Sequence, residues 1–197
     1  MNFDGFLQLL RNSLRQPELA LRQLHGLNLP VSARWMALVV LVSLSSIMAT
    51  LVMRAFPFLG DGGMNLPEIA PIPRAALQFV GIALAAWLIA TVGRAFGGRG
   101  SFGTSLLVVM WLETVLLVAQ VVQLLIMLLF PLGGSVLGLI AVLAVMWMSV
   151  QLIKALHGFS SAGLVFLGML ATGLMTLMFL SVLAGALGVL PDPSAGT

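Results

Sequence analysis

Trp35-Met36-Ala37-Leu38-Val39-Val40-Leu41-Val42-Ser43-Leu44-Ser45-Ser46-Ile47-Met48-Ala49-Thr50-Leu51-Val52-Met53 runs without a charge between Arg34 and Arg54. A helix that crosses the hydrocarbon core of a bilayer needs about 20 mostly apolar residues. This stretch meets that length, and the arginines at its two ends mark where the chain meets headgroups. The rest of the chain repeats the pattern. Ala75 to Gly93 is uncharged between Arg74 and Arg94, and Gly100 to Ile153 carries the single charge Glu113. Phe130-Pro131-Leu132-Gly133-Gly134 divides this last run, because proline and paired glycines punctuate helices. The 37 residues from Ala155 to Pro191 are too few for two crossings and a turn, so they are read as one long span.

The expected fold is therefore an all-α integral membrane protein with five transmembrane helices, at about residues 33–56, 73–93, 104–130, 135–156 and 162–190. A short amphipathic segment (1–30) precedes them and a polar tail (192–197) follows. A β-barrel is excluded because its strands alternate apolar and polar over about ten residues, whereas these runs are continuously apolar. The composition agrees. Of 197 residues, 60% are hydrophobic and only 8% charged, against roughly 25% charged in soluble domains. The net charge of +3 is spread along the chain at the ends of apolar runs. A nucleic-acid footprint would be a dense basic patch, so no nucleic-acid partner is expected.

Orientation follows from the basic residues. Arg11, Arg15, Arg22, Arg34, Arg94, Arg99 and Lys154 fall on one side of the five spans, and only Arg54 and Arg74 on the other. The excess side is cytoplasmic, which places the N-terminus inside and the C-terminus outside, in a bacterial inner membrane. The abundance of Arg, Ala, Gly and Leu suits a GC-rich bacterial genome. The first long apolar run starts only at Trp35, so it is read as an uncleaved anchor.

On a helix, Phe3, Phe6, Leu7, Leu10 and Leu14 fall within a 100° arc, with Gln8, Arg11, Asn12 and Arg15 opposite. Pro17 interrupts this helix and starts another. Such a segment either lies on the inner leaflet or folds over the ends of the spans. The candidate lipid-headgroup contacts are Arg11 and Arg15, with Arg94 and Arg99 in the glycine-rich loop between the second and third spans. That loop lacks the Gly-Lys-Ser/Thr ending of a nucleotide-binding loop, and no strand precedes it.

Within the spans, Glu113 is the sharpest feature, because a carboxylate in hydrocarbon is expensive. Ser105, Glu113, Gln120 and Gln123 form one stripe on the third span, and Gln151 and Lys154 lie toward the inner end of the fourth. Glu113, Gln120, Gln123, Gln151 and Lys154 are thus a candidate polar cluster, with Lys154 the expected partner of Glu113. His157 is read as an interfacial residue. No cysteine and only two histidines are present, which leaves no metal set, no cofactor site and no nucleophile with a credible base. The expectation is no enzyme.

Several features together resemble the YIP1 family of five-span membrane proteins. They are the short amphipathic start with Pro17, the inner loop Gly93-Arg94…Gly97-Gly98-Arg99-Gly100-Ser101-Phe102, Trp111 early in the next span, and Ala155-Leu156-His157-Gly158-Phe159-Ser160 between the last two. The resemblance implies a non-enzymatic membrane protein. Eukaryotic members act in vesicle trafficking with small prenylated GTPases. Their Asp-Leu-Tyr-Gly-Pro motif is missing here, and there is no tyrosine, so the GTPase role is not carried over. The expected function is a membrane scaffold or organiser that binds lipids, other membrane proteins or further copies of itself. The alternative is a small transporter or channel that uses the polar stripe of the third span.

Overall fold

The computed structural model describes residues 2–56 and 70–186. Residues 57–69 between the first two spans, the end of the fifth span (187–190) and the polar tail lie outside the described residues. The described chain forms α1 (Phe3–Arg15), α2 (Pro17–Gly26), α3 (Val31–Ala55), α4 (Pro71–Ala95), α5 (Phe102–Leu129), α6 (Pro131–His157) and α7 (Ala162–Ala186). The last five are each long and apolar enough to cross a membrane. Among the described residues there is no strand. The chain is an integral membrane protein of five apolar helices with two short helices in front.

The helix ends follow local chemistry. The Asn2 side chain caps α1 by accepting from the Gly5 N–H at 3.2 Å, and Asp4 sits in the first turn, where the helix dipole favours an anion. Pro17 drives Gln16 out of the helical region (φ −140°, ψ 68°), which ends α1, and then serves as N1 of α2. Pro71 and Pro131 open α4 and α6 in the same way. As a result Phe130 alone separates α5 from α6, and Gly133 and Gly134 belong to the first turns of α6. Ser101 caps α5 through the Thr104 N–H. At the far end of α6, Gly158 takes a left-handed conformation (φ 72°) and the Phe159 N–H donates back to the Lys154 carbonyl at 3.0 Å, a Schellman stop.

α5 is the central helix, packed on α3, α4 and α6, while α7 lies against α4 and α6. Close approach relies on small residues, as lipid supplies no hydrophobic drive between helices. A Cβ on Gly134 would overlap Met127, so this glycine sets how tightly α5 and α6 meet. Outward surfaces are apolar, with Leu129 89% exposed and Leu164 72%. Polar side chains that are buried, such as Ser46, Thr172 and Thr176, turn inward or bond their own backbone. This arrangement suits a hydrocarbon solvent.

The α1–α2 pair does not float free of the bundle. It packs on α5 and α6, and Leu9, Ala20, Leu21 and Leu24 join Leu107, Trp111, Val115, Met148 and Leu152 in one core. A second core joins Leu38 and Val42 of α3 to Ile82 and Ala86 of α4 and to Leu106 and Val109 of α5. The α1–α2 pair, the α4–α5 loop and the α6–α7 loop all lie at one end of the bundle, the hairpin end.

Candidate functional site

At the hairpin end, α1 presents three faces rather than two. The Leu9–Ser13 side is buried: the Trp111 indole N–H donates to the Ser13 hydroxyl at 2.9 Å, and that hydroxyl donates to the Leu9 carbonyl at 2.8 Å. Phe6 meets the Trp111 ring edge-on, with centroids 5.4 Å apart. A second side, with Phe3, Leu7 and Leu14, remains exposed, Phe3 by 73%. The third carries Gln8, Arg11 and Arg15, all exposed. On a helical wheel the exposed apolar side lies roughly 120° from the buried one, and the arginines follow it on the other side.

Ser13 escaped the sequence reading because it is a single polar residue on a side otherwise taken as apolar. The signal for it was Trp111. A tryptophan inside an apolar helix needs an acceptor for its N–H, and a hydroxyl outside the spans is one source.

The α4–α5 loop and the first turn of α5 are held from three directions. Arg34 donates from Nε to the Leu29 carbonyl at 3.0 Å and from Nη1 to the Gly103 carbonyl at 2.6 Å. His25 Nε2 lies 3.3 Å from the Thr104 hydroxyl. The third grip is His157, the last residue of α6, which is buried (2% exposed). Its Nδ1 accepts from the Gly100 N–H at 3.2 Å, which assigns the ring proton to Nε2, turned toward the Ile89 backbone without a well-formed hydrogen bond. Its carbonyl accepts from the Arg99 N–H at 3.4 Å, and its ring stacks on Phe159 with centroids 5.2 Å apart. A Cβ on Gly93, Gly98 or Gly100 would run into the imidazole. The glycines of this loop therefore build a socket for His157. Arg94 and Arg99 stay exposed at its rim, with Arg94 Nε bonded to the Ala90 carbonyl at 3.1 Å.

The candidate polar cluster is not assembled as expected. Glu113 is half-buried near the middle of α5, and its hydrogen-bond partner is Gln78 of α4, with Nε2 donating at 3.5 Å. The pairing with Lys154 is not observed. Gln78 carries no signal in the sequence alone, as one amide in a span defined by its lack of charge. Gln123 faces the other way and packs its amide where a Cβ on Gly138 would stand, against α6. Gln120 is half-buried, and its Oε1 is buried without a partner. Gln151 and Lys154 are half-buried on α6. No hydrogen bond joins any two of the five. Among the described residues no group of three His, Cys, Asp or Glu side chains is placed to hold a metal ion.

A family model described as the Yip1 domain matches residues 11–184. No curated protein and no solved structure matches the chain.

Proposed function

The chain belongs to the Yip1 domain family, and from this we propose that it is a non-enzymatic membrane organiser whose α1–α2 hairpin lies within the cytoplasmic leaflet of a bacterial inner membrane. The single observation that carries the reading is the Ser13–Trp111 attachment, which leaves Phe3, Leu7 and Leu14 turned outward. The depth is consistent with it. α5 has 28 residues, so at 1.5 Å per residue it is about 42 Å long and overshoots a roughly 30 Å hydrocarbon core by about 6 Å at each end when centred. Trp111 lies nine residues past Phe102, about 14 Å along the helix and so roughly 8 Å below the core boundary. Interfacial helices bury themselves about 5–10 Å. At that depth the Phe3 side faces acyl chains, and Arg11 and Arg15 reach up to headgroups. Arg94 and Arg99 add positive charge at the same end.

The basic residues support a cytoplasmic hairpin end, seven on this side against two on the other. The transporter alternative draws on the orphaned Oε1 of Gln120. It is weakened because the stripe divides, with Glu113 bonded toward α4 and Gln123 filling the Gly138 notch on α6.

The test is reconstitution of the full chain into vesicles of zwitterionic lipid with a minor labelled anionic lipid. Energy transfer from a fluorophore on the hairpin to the anionic lipid should exceed that of random mixing, and Leu7→Asp with Leu14→Asp should abolish the excess. Random mixing, together with a solute or proton flux that Glu113→Gln removes, would contradict the organiser and establish the transporter.

A further inference from the structure

Two grooves flank the same pair of arginines on the hairpin. The first, of about 550 Å³, is lined by Leu7, Leu10 and Leu14 together with Arg11 and Arg15. The second, of about 640 Å³, lies between α1 and α2 and sets the same two arginines among Gln8, Asn12, Gln16 and Gln23, with Leu7 and Leu19 at its edges. We infer that the hairpin binds a single anionic phospholipid with a hydroxylated headgroup, its phosphodiester between Arg11 and Arg15, its acyl chains in the leucine groove and its headgroup in the amide groove. This rests on the leaflet reading and adds to it a defined site and a lipid class.

The arginines are the first argument. They stand four residues apart on one helix face, where like charges repel. Neither makes a hydrogen bond or ion pair with any described residue. An anion between them relieves the repulsion, and guanidinium groups match phosphate oxygens in geometry as well as charge.

The division of polarity across them is the second. A free phosphate would use the arginines and leave both grooves empty. A phospholipid has the same order as the site: apolar tails, an anionic link, then a polar head. The head can be specified further. Asn12 Nδ2 already donates to Gln23 Oε1 at 3.0 Å, which fixes the floor of the amide groove. The side-chain amides of Gln8 and Gln16 at its sides have no hydrogen-bond partner among the described residues, and each offers both donors and an acceptor. Hydroxyl groups, which donate and accept, suit these amides. A choline headgroup would place a quaternary ammonium beside two guanidinium groups and is disfavoured.

Native mass spectrometry of the full chain from detergent micelles tests this with phosphatidylglycerol, phosphatidylmethanol and phosphatidylcholine of identical chains. Phosphatidylglycerol should form one saturable adduct, about tenfold tighter than phosphatidylcholine and about threefold tighter than phosphatidylmethanol. Arg11→Gln with Arg15→Gln should remove the tenfold margin at an unchanged thermal midpoint, and Arg11→Lys with Arg15→Lys should keep most of it. Gln8→Ala with Gln16→Ala should remove only the threefold margin. Equal binding of phosphatidylglycerol and phosphatidylcholine, no effect of the double Gln variant, or full competition by soluble glycerol phosphate would each overturn the site. A nitroxide at Leu7→Cys reports depth separately. Lost selectivity with acyl depth retained defeats the lipid site alone, whereas lost depth defeats the leaflet reading beneath it.

Discussion

The Trp111 indole nitrogen donates to the Ser13 hydroxyl at 2.9 Å, with both residues buried and 98 positions apart in sequence. This bond ties an amphipathic helix to the central helix of the bundle. Without Ser13 the Trp111 N–H has no acceptor, and an orphaned buried donor costs about 1–3 kcal/mol. Ser13→Ala should therefore lower stability by that amount in a denaturant titration in mixed micelles. On a Trp111→Phe background, where no N–H remains to be orphaned, the same change should cost less than half as much.

The His157 socket predicts a second coupling. Gly93→Ala puts a methyl group into the imidazole, and overpacking of this kind costs about 1–3 kcal/mol. The cost should shrink on a His157→Ala background, where the space is free. Thermal unfolding of the two singles and the double gives the coupling, and additive losses would show that Gly93 and His157 act independently.

The five crossings were legible because hydrocarbon thickness demands apolar length, and length is a local property of sequence. The start of α6 at Pro131 rather than near Ser135 shows the limit of that reading. Proline in the sequence reads as part of a break, yet a residue lacking an N–H fits the first turn, where that donor has no helical partner. The sites were less legible because their partners are distant in sequence. The loop glycines match no nucleotide-binding pattern and carry no role in the sequence alone, and His157 lies 57 residues after Gly100. Only tertiary packing puts the ring where those glycines lack a Cβ. Likewise, the stripe of Ser105, Glu113, Gln120 and Gln123 was visible as a face, but which helix each side chain meets was not. Ser105 is fully buried, and its hydroxyl has no partner.

Glu113 and Gln78 supply a third prediction. A carboxylate that joins two helices can be replaced by an amide of the same size, and interhelical hydrogen bonds in membranes average only about 0.6 kcal/mol. Glu113→Gln should stay close to wild type in thermal stability. Glu113→Leu should lose more, because it leaves Gln78 without its partner, and Gln78→Leu should restore part of the loss. A Glu113→Gln variant that fails to fold would contradict a structural role for the carboxylate.

Orientation supplies a fourth. A reporter active only outside the cytoplasm should stay silent when inserted at Gly98 or Gly158 and should be active at Gly62 or after Thr197. Activity at Gly98 would place the hairpin end outside and reverse the reading of the basic residues.

Depth of α1 tests the central claim most directly. The chain contains no cysteine, so a single spin label can be placed by one substitution. In bilayers of mixed zwitterionic and anionic lipid, nitroxides at Leu7→Cys and Leu14→Cys should be accessible to oxygen and shielded from a water-soluble nickel chelate, at about 5–10 Å below the headgroups. Labels at Gln8→Cys and Asn12→Cys should show the opposite. Chelate access at Leu7 and Leu14 equal to that at Gln8 would place α1 in water and contradict the account.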